Sequence, residues 1–166
     1  MSMSAAKKPR MPDEEFIEIV RRTPLVSIDL IIRDPQGRIL LGLRKNAPAL
    51  GAWFVPGGII RKGETLAESF ARISEDELGQ PLSLDDATFV GVFEHFYEEN
   101  RLQLAGIATH YVVLAFRVEW HGTNEGLPHD QHEEYHWFSA GEGSEHPMVH
   151  PYTKAYLQPS TEQQNS

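Results

Sequence analysis

The chain has 166 residues, enough for one domain with its own core, and its 15 basic against 24 acidic side chains leave a net charge of −9. That balance argues against nucleic acid as a partner, while a small anionic substrate stays compatible where local arginines and a metal ion override the global field. With 40% hydrophobic residues and no cysteine, the chain reads as globular, without disulfides, thiolate metal sites or a cysteine nucleophile. No apolar run approaches membrane-spanning length and no signal-peptide core is visible, so a cytoplasmic protein with no membrane partner is expected.

Residues 1–12, with Lys7, Lys8 and Arg10, read as a flexible basic segment. Residues 13–22 form an amphipathic helix, with Phe16, Ile17 and Val20 on one face, Asp13 as its cap and Thr23-Pro24 as its stop. Residues 25–32 are almost continuously apolar, as in a strand buried on both faces. Asp29 interrupts this run, and a carboxylate there requires a partner, whether its role is structural or functional. Asp34-Pro35-Gln36-Gly37 is a turn, and residues 38–44 return as a second strand ending in Arg44. A loop over 46–52 leads to a short strand, Trp53-Phe54-Val55, and a glycine-bearing loop, Pro56-Gly57-Gly58, whose backbone can approach a ligand closely or simply turn.

Residues 66–78 form a second helix, with Leu66, Phe70, Ile73 and Leu78 at helical spacing, a Thr65–Glu68 capping box and Gly79 as the stop. Glu75, Asp76 and Glu77 gather at its C-terminal end, where the helix dipole favours cations. They form a solvated acidic face or have a compensating partner, for which a divalent cation is one candidate. A loop over 81–86, strands over 89–96 and 109–120, a polar loop over 121–132, a strand over 133–138 and a short helix near 152–157 follow. Residues 13–158 therefore read as a single mixed α/β domain, and 159–166 as a disordered tail.

The spacing Gly58, Glu64, Arg72, Glu77, Gly79 resembles the signature of the Nudix hydrolases, which implies a mixed β-sheet sandwiched between helices. In that signature a glutamate follows the arginine; here the position is Ile73, one helical turn from Glu77. Stretches outside the box, among them Trp53-Phe54-Val55-Pro56-Gly57-Gly58, Glu94-His95-Phe96-Tyr97, Thr109-His110-Tyr111-Val112 and Asp130-Gln131-His132-Glu133, are similar to the GDP-mannose mannosyl hydrolases. That branch has the same reduced box, and it directs water at the sugar C1 carbon rather than at phosphorus.

The resemblance implies Mg²⁺, replaceable by Mn²⁺, held by Glu77, the Gly57 carbonyl and Gln131, with His132 as general base. It implies Asp29 facing positive charge on the sugar, Arg44 and Tyr111 at the diphosphate and leaving group, and Phe16 against the base. Arg72 would orient the box through ion pairs. It also implies a nucleotide-sugar substrate and a homodimer. One departure stands out: the arginine expected after Gly-Gly is Ile59, which leaves Arg61 as the cation for that phosphate and suggests slower turnover of GDP-mannose or another preferred nucleotide sugar. Rival readings are a conventional Nudix pyrophosphohydrolase acting at phosphorus, a non-catalytic nucleotide-binding domain, and a zinc site at His129, His132 and His136, whose spacing fits no standard zinc motif. His110 reads as a satisfied sheet residue, and His95 has no assigned role.

Overall fold

The computed structural model describes residues 10–122, 125–130 and 132–158. The terminal segments expected to be flexible or disordered fall outside these apart from residues 10–12, and Gln131 falls outside them too. Helix α1, Asp13–Arg22, has the expected bounds, but its N-cap is Pro12, and the Asp13 side chain pairs with Arg101 at 3.1 Å instead of capping. Proline's fixed φ seats the chain for the first turn, and acidic residues inside that turn suit the dipole.

Strand β1, Leu25–Arg33, lies in the middle of a mixed sheet. It runs antiparallel to β2, Ile39–Arg44, and β4, Gly57–Ile59, and parallel to β6, Thr109–Glu119. The sheet continues through β3, Trp53–Phe54, and β7, His132–Phe138, both on β2, and ends at β5, Thr88–Tyr97, on β6. The glycine loop expected at residues 56–58 is thus partly a strand: Gly57 pairs with Asp29 and Gly58 with Ile28.

Side chains of β1 alternate between two cores, as pleating requires. Ile28, Leu30 and Ile32 pack with Phe116, Val118 and the Phe70, Ile73 and Leu78 face of α2, Leu66–Leu78. Ile31 packs on the other side with Ala115, Phe138 and Leu157 of α4, Pro151–Leu157. Fully burying each such side chain stabilises the fold by roughly 1.5–3 kcal/mol. The sheet is therefore sandwiched between helices, as the Nudix resemblance implied.

The Thr65–Glu68 capping box and the left-handed Gly79 cap of α2 both form. A helix absent from the sequence reading, α3, Ala140–Glu145, starts at the Ser139 cap and precedes α4. Its Gly143 is buried where a Cβ would stand 2.4 Å from Leu157, so glycine there lets the two helices meet.

Candidate active site

Strands β1, β2, β4, β6 and β7 and helices α2 and α4 bring the site together. Asp29 is 7% exposed on β1, with its carboxylate against Gly57 of β4: a Cβ at residue 57 would lie 2.6 Å from Asp29 Oδ1. On the other side, Tyr156 of α4 donates its hydroxyl to Asp29 Oδ2 at 2.7 Å. Burial pushes the Asp29 carboxyl up to about 7, against the lowering effect of the Tyr156 hydroxyl and the Arg44 guanidinium.

Glu77 is buried on α2, one turn after Ile73, which is also buried and lies 3.1 Å from where a Gly58 Cβ would be. Burial raises Glu77 to about 7; Arg44 and the Gly57 main-chain amide oppose the shift, while Asp76 and Asp29 add to it. Neighbouring Asp76 is drawn towards Arg72, at 3.6 Å. Arg72 itself donates to Glu64 at 2.6 Å and to the Ile59 carbonyl at 2.8 Å, so it ties the helix to the glycine strand, as expected.

His132 is 1% exposed at the start of β7 and turns Nε2 towards Glu77 Oε2, 3.5 Å away. Its other face stacks on Tyr135, with ring centroids 5.4 Å apart. The Tyr135 hydroxyl donates to the Pro128 carbonyl, which ties β7 to Pro128. Burial, reinforced by Arg44, holds the His132 imidazole down at about 4, so it is neutral near pH 7.

Arg44 pairs with His132 in the β2–β7 register, and its charge reaches Asp29, Glu77, His132 and Tyr111. Its Nε is buried without a hydrogen-bond partner among the described residues. Tyr111 meets Tyr97 edge to face at 5.9 Å, and burial raises its phenol. Aromatic rings continue outward: His95 stacks on Tyr152 at 4.1 Å and is held neutral, down at about 4, by burial with help from His150.

Two sequence candidates lie at the margin. Phe16 is buried in the α1 cluster under Arg101, whose guanidinium sits 4.0 Å from the ring centre; Tyr111 and Ile59 pack against that cluster. The Arg61 amide donates to Glu64 at 2.8 Å, which places Arg61 at the Glu64 end of the box. The zinc trio does not converge. His129 faces the Glu133 carbonyl, His132 faces Glu77 and His136 faces Glu142. His110 stacks on Phe96, but its Nε2 is buried without a partner among the described residues, so it is not the satisfied histidine expected. A cavity of about 570 Å³ lies between the end of α1 and the start of β6, lined by Arg22, Pro24, Phe96 and His110 and, on the side towards Tyr111, by Tyr97.

A model of the NUDIX domain matches residues 23–158. The chain belongs to the Nudix family. Along nearly its whole length this Nudix domain is similar to the low-salt glycan biosynthesis protein Agl8 of Haloferax volcanii, with 41% identity over 156 residues, 92% of this chain and 93% of that one. A more local similarity, 41% over 56 residues, links it to an ADP-ribose pyrophosphatase of Methanocaldococcus jannaschii, covering 34% of this chain and 32% of that one. Among solved structures, the MutT NUDIX hydrolase from Burkholderia pseudomallei superposes with a TM-score of 0.67 at 28% identity, covering 84% of this chain and 100% of the other. Among the described residues, no helix is long and apolar enough to cross a membrane.

Nudix hydrolases generally use divalent metal ions, and the residues present fit one in a particular way. No three His, Cys, Asp or Glu side chains converge to hold an ion by themselves among the described residues. Instead two buried carboxylates, Asp29 and Glu77, lie where the charge of one guanidinium, Arg44, reaches both, with Gly57 against each of them. One or two carboxylates, completed by substrate phosphates and water, are the arrangement Mg²⁺ commonly takes.

Proposed function

We propose that this Nudix domain hydrolyses a GDP-sugar, GDP-mannose or GDP-glucose, to GDP and the free sugar by attack of water at the anomeric carbon with inversion. The observation that carries the reading is Ile73. It is 1% exposed and packed on Gly58, and since Glu64 is taken up by Arg72, Glu77 is the box carboxylate left to turn towards His132. A carboxylate-rich site for cleavage at phosphorus lacks its second glutamate here, whereas at carbon a diphosphate is already a good leaving group, so one metal ion and an arginine can replace the general acid of a glycosidase. Full-length similarity to a glycan biosynthesis protein supports a sugar nucleotide as substrate.

Glu77, the Gly57 carbonyl and Gln131 would hold Mg²⁺ or Mn²⁺; Gln131 lies outside the described residues. When bound, the ion supplies Lewis-acid stabilisation of the departing diphosphate. Arg44, whose buried Nε has no hydrogen-bond partner among the described residues, takes a diphosphate oxygen, and Tyr111 faces the leaving group. Asp29 stabilises the oxocarbenium-like charge at C1. His132 receives the proton of the attacking water through Nε2 as the new O–C1 bond forms, while the electron pair of the broken C1–O bond departs with GDP. Arg61 and Phe16 serve the nucleotide end, and a cytoplasmic homodimer is the assembly this reading carries.

Hydrolysis in ¹⁸O-labelled water tests it. Label in free mannose or glucose, with unlabelled GDP, is the expected result. Label in a phosphate product would overturn it in favour of cleavage at phosphorus, the reading that the local similarity to an ADP-ribose pyrophosphatase favours.

A further inference from the structure

The hydrogen bond from α4 to the buried carboxylate of β1 joins residues 127 positions apart, and nothing in the Nudix box accounts for it. We propose that Tyr156 is a positioning residue that fixes Asp29 in its working orientation, which makes α4 part of the active site; this rests on the reading that Asp29 faces the sugar. The carboxylate has two oxygens in different surroundings. Oδ2 accepts the Tyr156 hydroxyl, and Oδ1 lies against the bare Cα of Gly57, where any Cβ would be 2.6 Å away. With one oxygen held and the other in a slot that only glycine leaves open, rotation about the Asp29 side chain is restricted at both ends.

Tyr156 is itself held. Its ring meets Phe93 edge to face at 5.0 Å and leans on His95 at 6.4 Å. One turn earlier, Tyr152 stacks on His95, accepts a hydrogen bond from the Phe96 amide at 2.9 Å and donates to the Phe96 carbonyl at 3.0 Å. Thr153 and Leu157 are buried beneath. The helix is therefore fixed to β5 at Tyr152, and the 3.6-residue period delivers Tyr156 to the same face. A phenol suits this task better than a lysine would. It donates one directed hydrogen bond without adding a charge that would cancel the carboxylate facing the substrate.

A purely structural role predicts lost stability with kinetics unchanged; a positioning role predicts the reverse. The test is a double-mutant cycle of Tyr156→Phe and Asp29→Asn, with kcat, KM and thermal unfolding measured for all four proteins. The substrate is whichever nucleoside diphosphate derivative the wild-type chain turns over, so the wild-type products judge the reaction and the cycle judges Tyr156. Y156F is expected to lower kcat by at least about tenfold with KM nearly unchanged. Added to D29N, it is expected to cause no further loss, because the hydroxyl acts through the carboxylate. Unchanged kcat in Y156F, or losses that multiply in the double variant, would overturn the proposal. A Y156F chain that does not fold would assign the hydroxyl to the fold and overturn it as well.

Discussion

The ring of His132 occupies the space that a side chain on residue 42 would take: a Cβ built on Gly42 stands 2.1 Å from His132 Nδ1. Gly42 lies on β2 beside β7, with both neighbouring strands paired to it. Glycine inside a strand normally weakens it, and here it marks a close approach that lets an imidazole lie against the sheet backbone with Nε2 towards Glu77. Replacing Gly42 by alanine forces the buried ring to move. Gly42→Ala is expected to lose about 1–3 kcal/mol of stability from overpacking. Turnover should fall further than stability, because the Nε2–Glu77 geometry is broken. Full activity in a folded G42A protein would separate His132 from the chemistry.

The Arg72–Glu64 pair governs a second expectation. Arg72 is 15% and Glu64 9% exposed by side chain, and the Glu64 carboxyl is held below the ordinary range by the Arg72 hydrogen bond, which outweighs burial. The folded pKa is depressed, so this stabilisation is complete above the unfolded carboxylate value near 4.3 and is lost as pH falls through the folded value. Glu64→Gln leaves a guanidinium underpaired between α2 and β4, which costs about 3 kcal/mol at neutral pH. Chemical denaturation at pH 7 and pH 3 checks both parts: the gap between wild type and E64Q should narrow in acid.

His95 gives a pH dependence of independent origin. Its folded pKa near 4 lies below the unfolded value near 6.5, so between these limits the unfolded chain binds more protons. Stability is then full above about pH 6.5 and falls as pH drops towards 4, by roughly 3 kcal/mol at most. His95→Phe keeps an aromatic ring against Tyr152 and removes the proton site. A shallower loss of thermal stability between pH 6.5 and 4 is expected; an unchanged slope would place the proton uptake elsewhere.

Ile59 controls the last expectation. Its side chain packs with the α1 cluster beside Tyr111, and its carbonyl accepts the Arg72 hydrogen bond, so the backbone holds whatever residue occupies the position. Ile59→Arg would add a guanidinium beside Tyr111, and turnover of GDP-mannose should rise by about tenfold. Steady-state rates on GDP-mannose decide it, and no increase would show that the missing arginine does not limit this enzyme.

Much of the scaffold was legible locally. Helix α2 announced both its ends through Thr65, Glu68 and Gly79, and the apolar run of β1 announced a central strand. Helix α3 was not legible, because Ala140–Glu145 contains two glycines and no apolar period, and only Leu157 explains why Gly143 is tolerated. Asp29 advertised the need for a partner but could not name Tyr156, since no pattern in one chain links residues so far apart. The one signal was the spacing of Tyr152 and Tyr156, which places two phenols on one face of a short helix. Gly42 looked like an ordinary strand glycine until the position of His132 gave it a purpose.

The parallel pairing of β1 with β6 bears on the order in which the sheet assembles. Leu25 lies beside Tyr111 and Arg33 beside Glu119, so the strand bearing Asp29 waits for most of the chain before its long neighbour exists. Loop closure over such distances comes before any contact that rewards it, and folding with this topology is slow. During synthesis the box helix can form early, while β1 lacks β6 and Asp29 lacks the phenol of α4. A nascent chain with Glu77 in place therefore has no assembled pocket. The Tyr156–Asp29 bond forms only when α4 docks, and any lesion that delays docking lengthens the time for which an apolar strand is open to other chains.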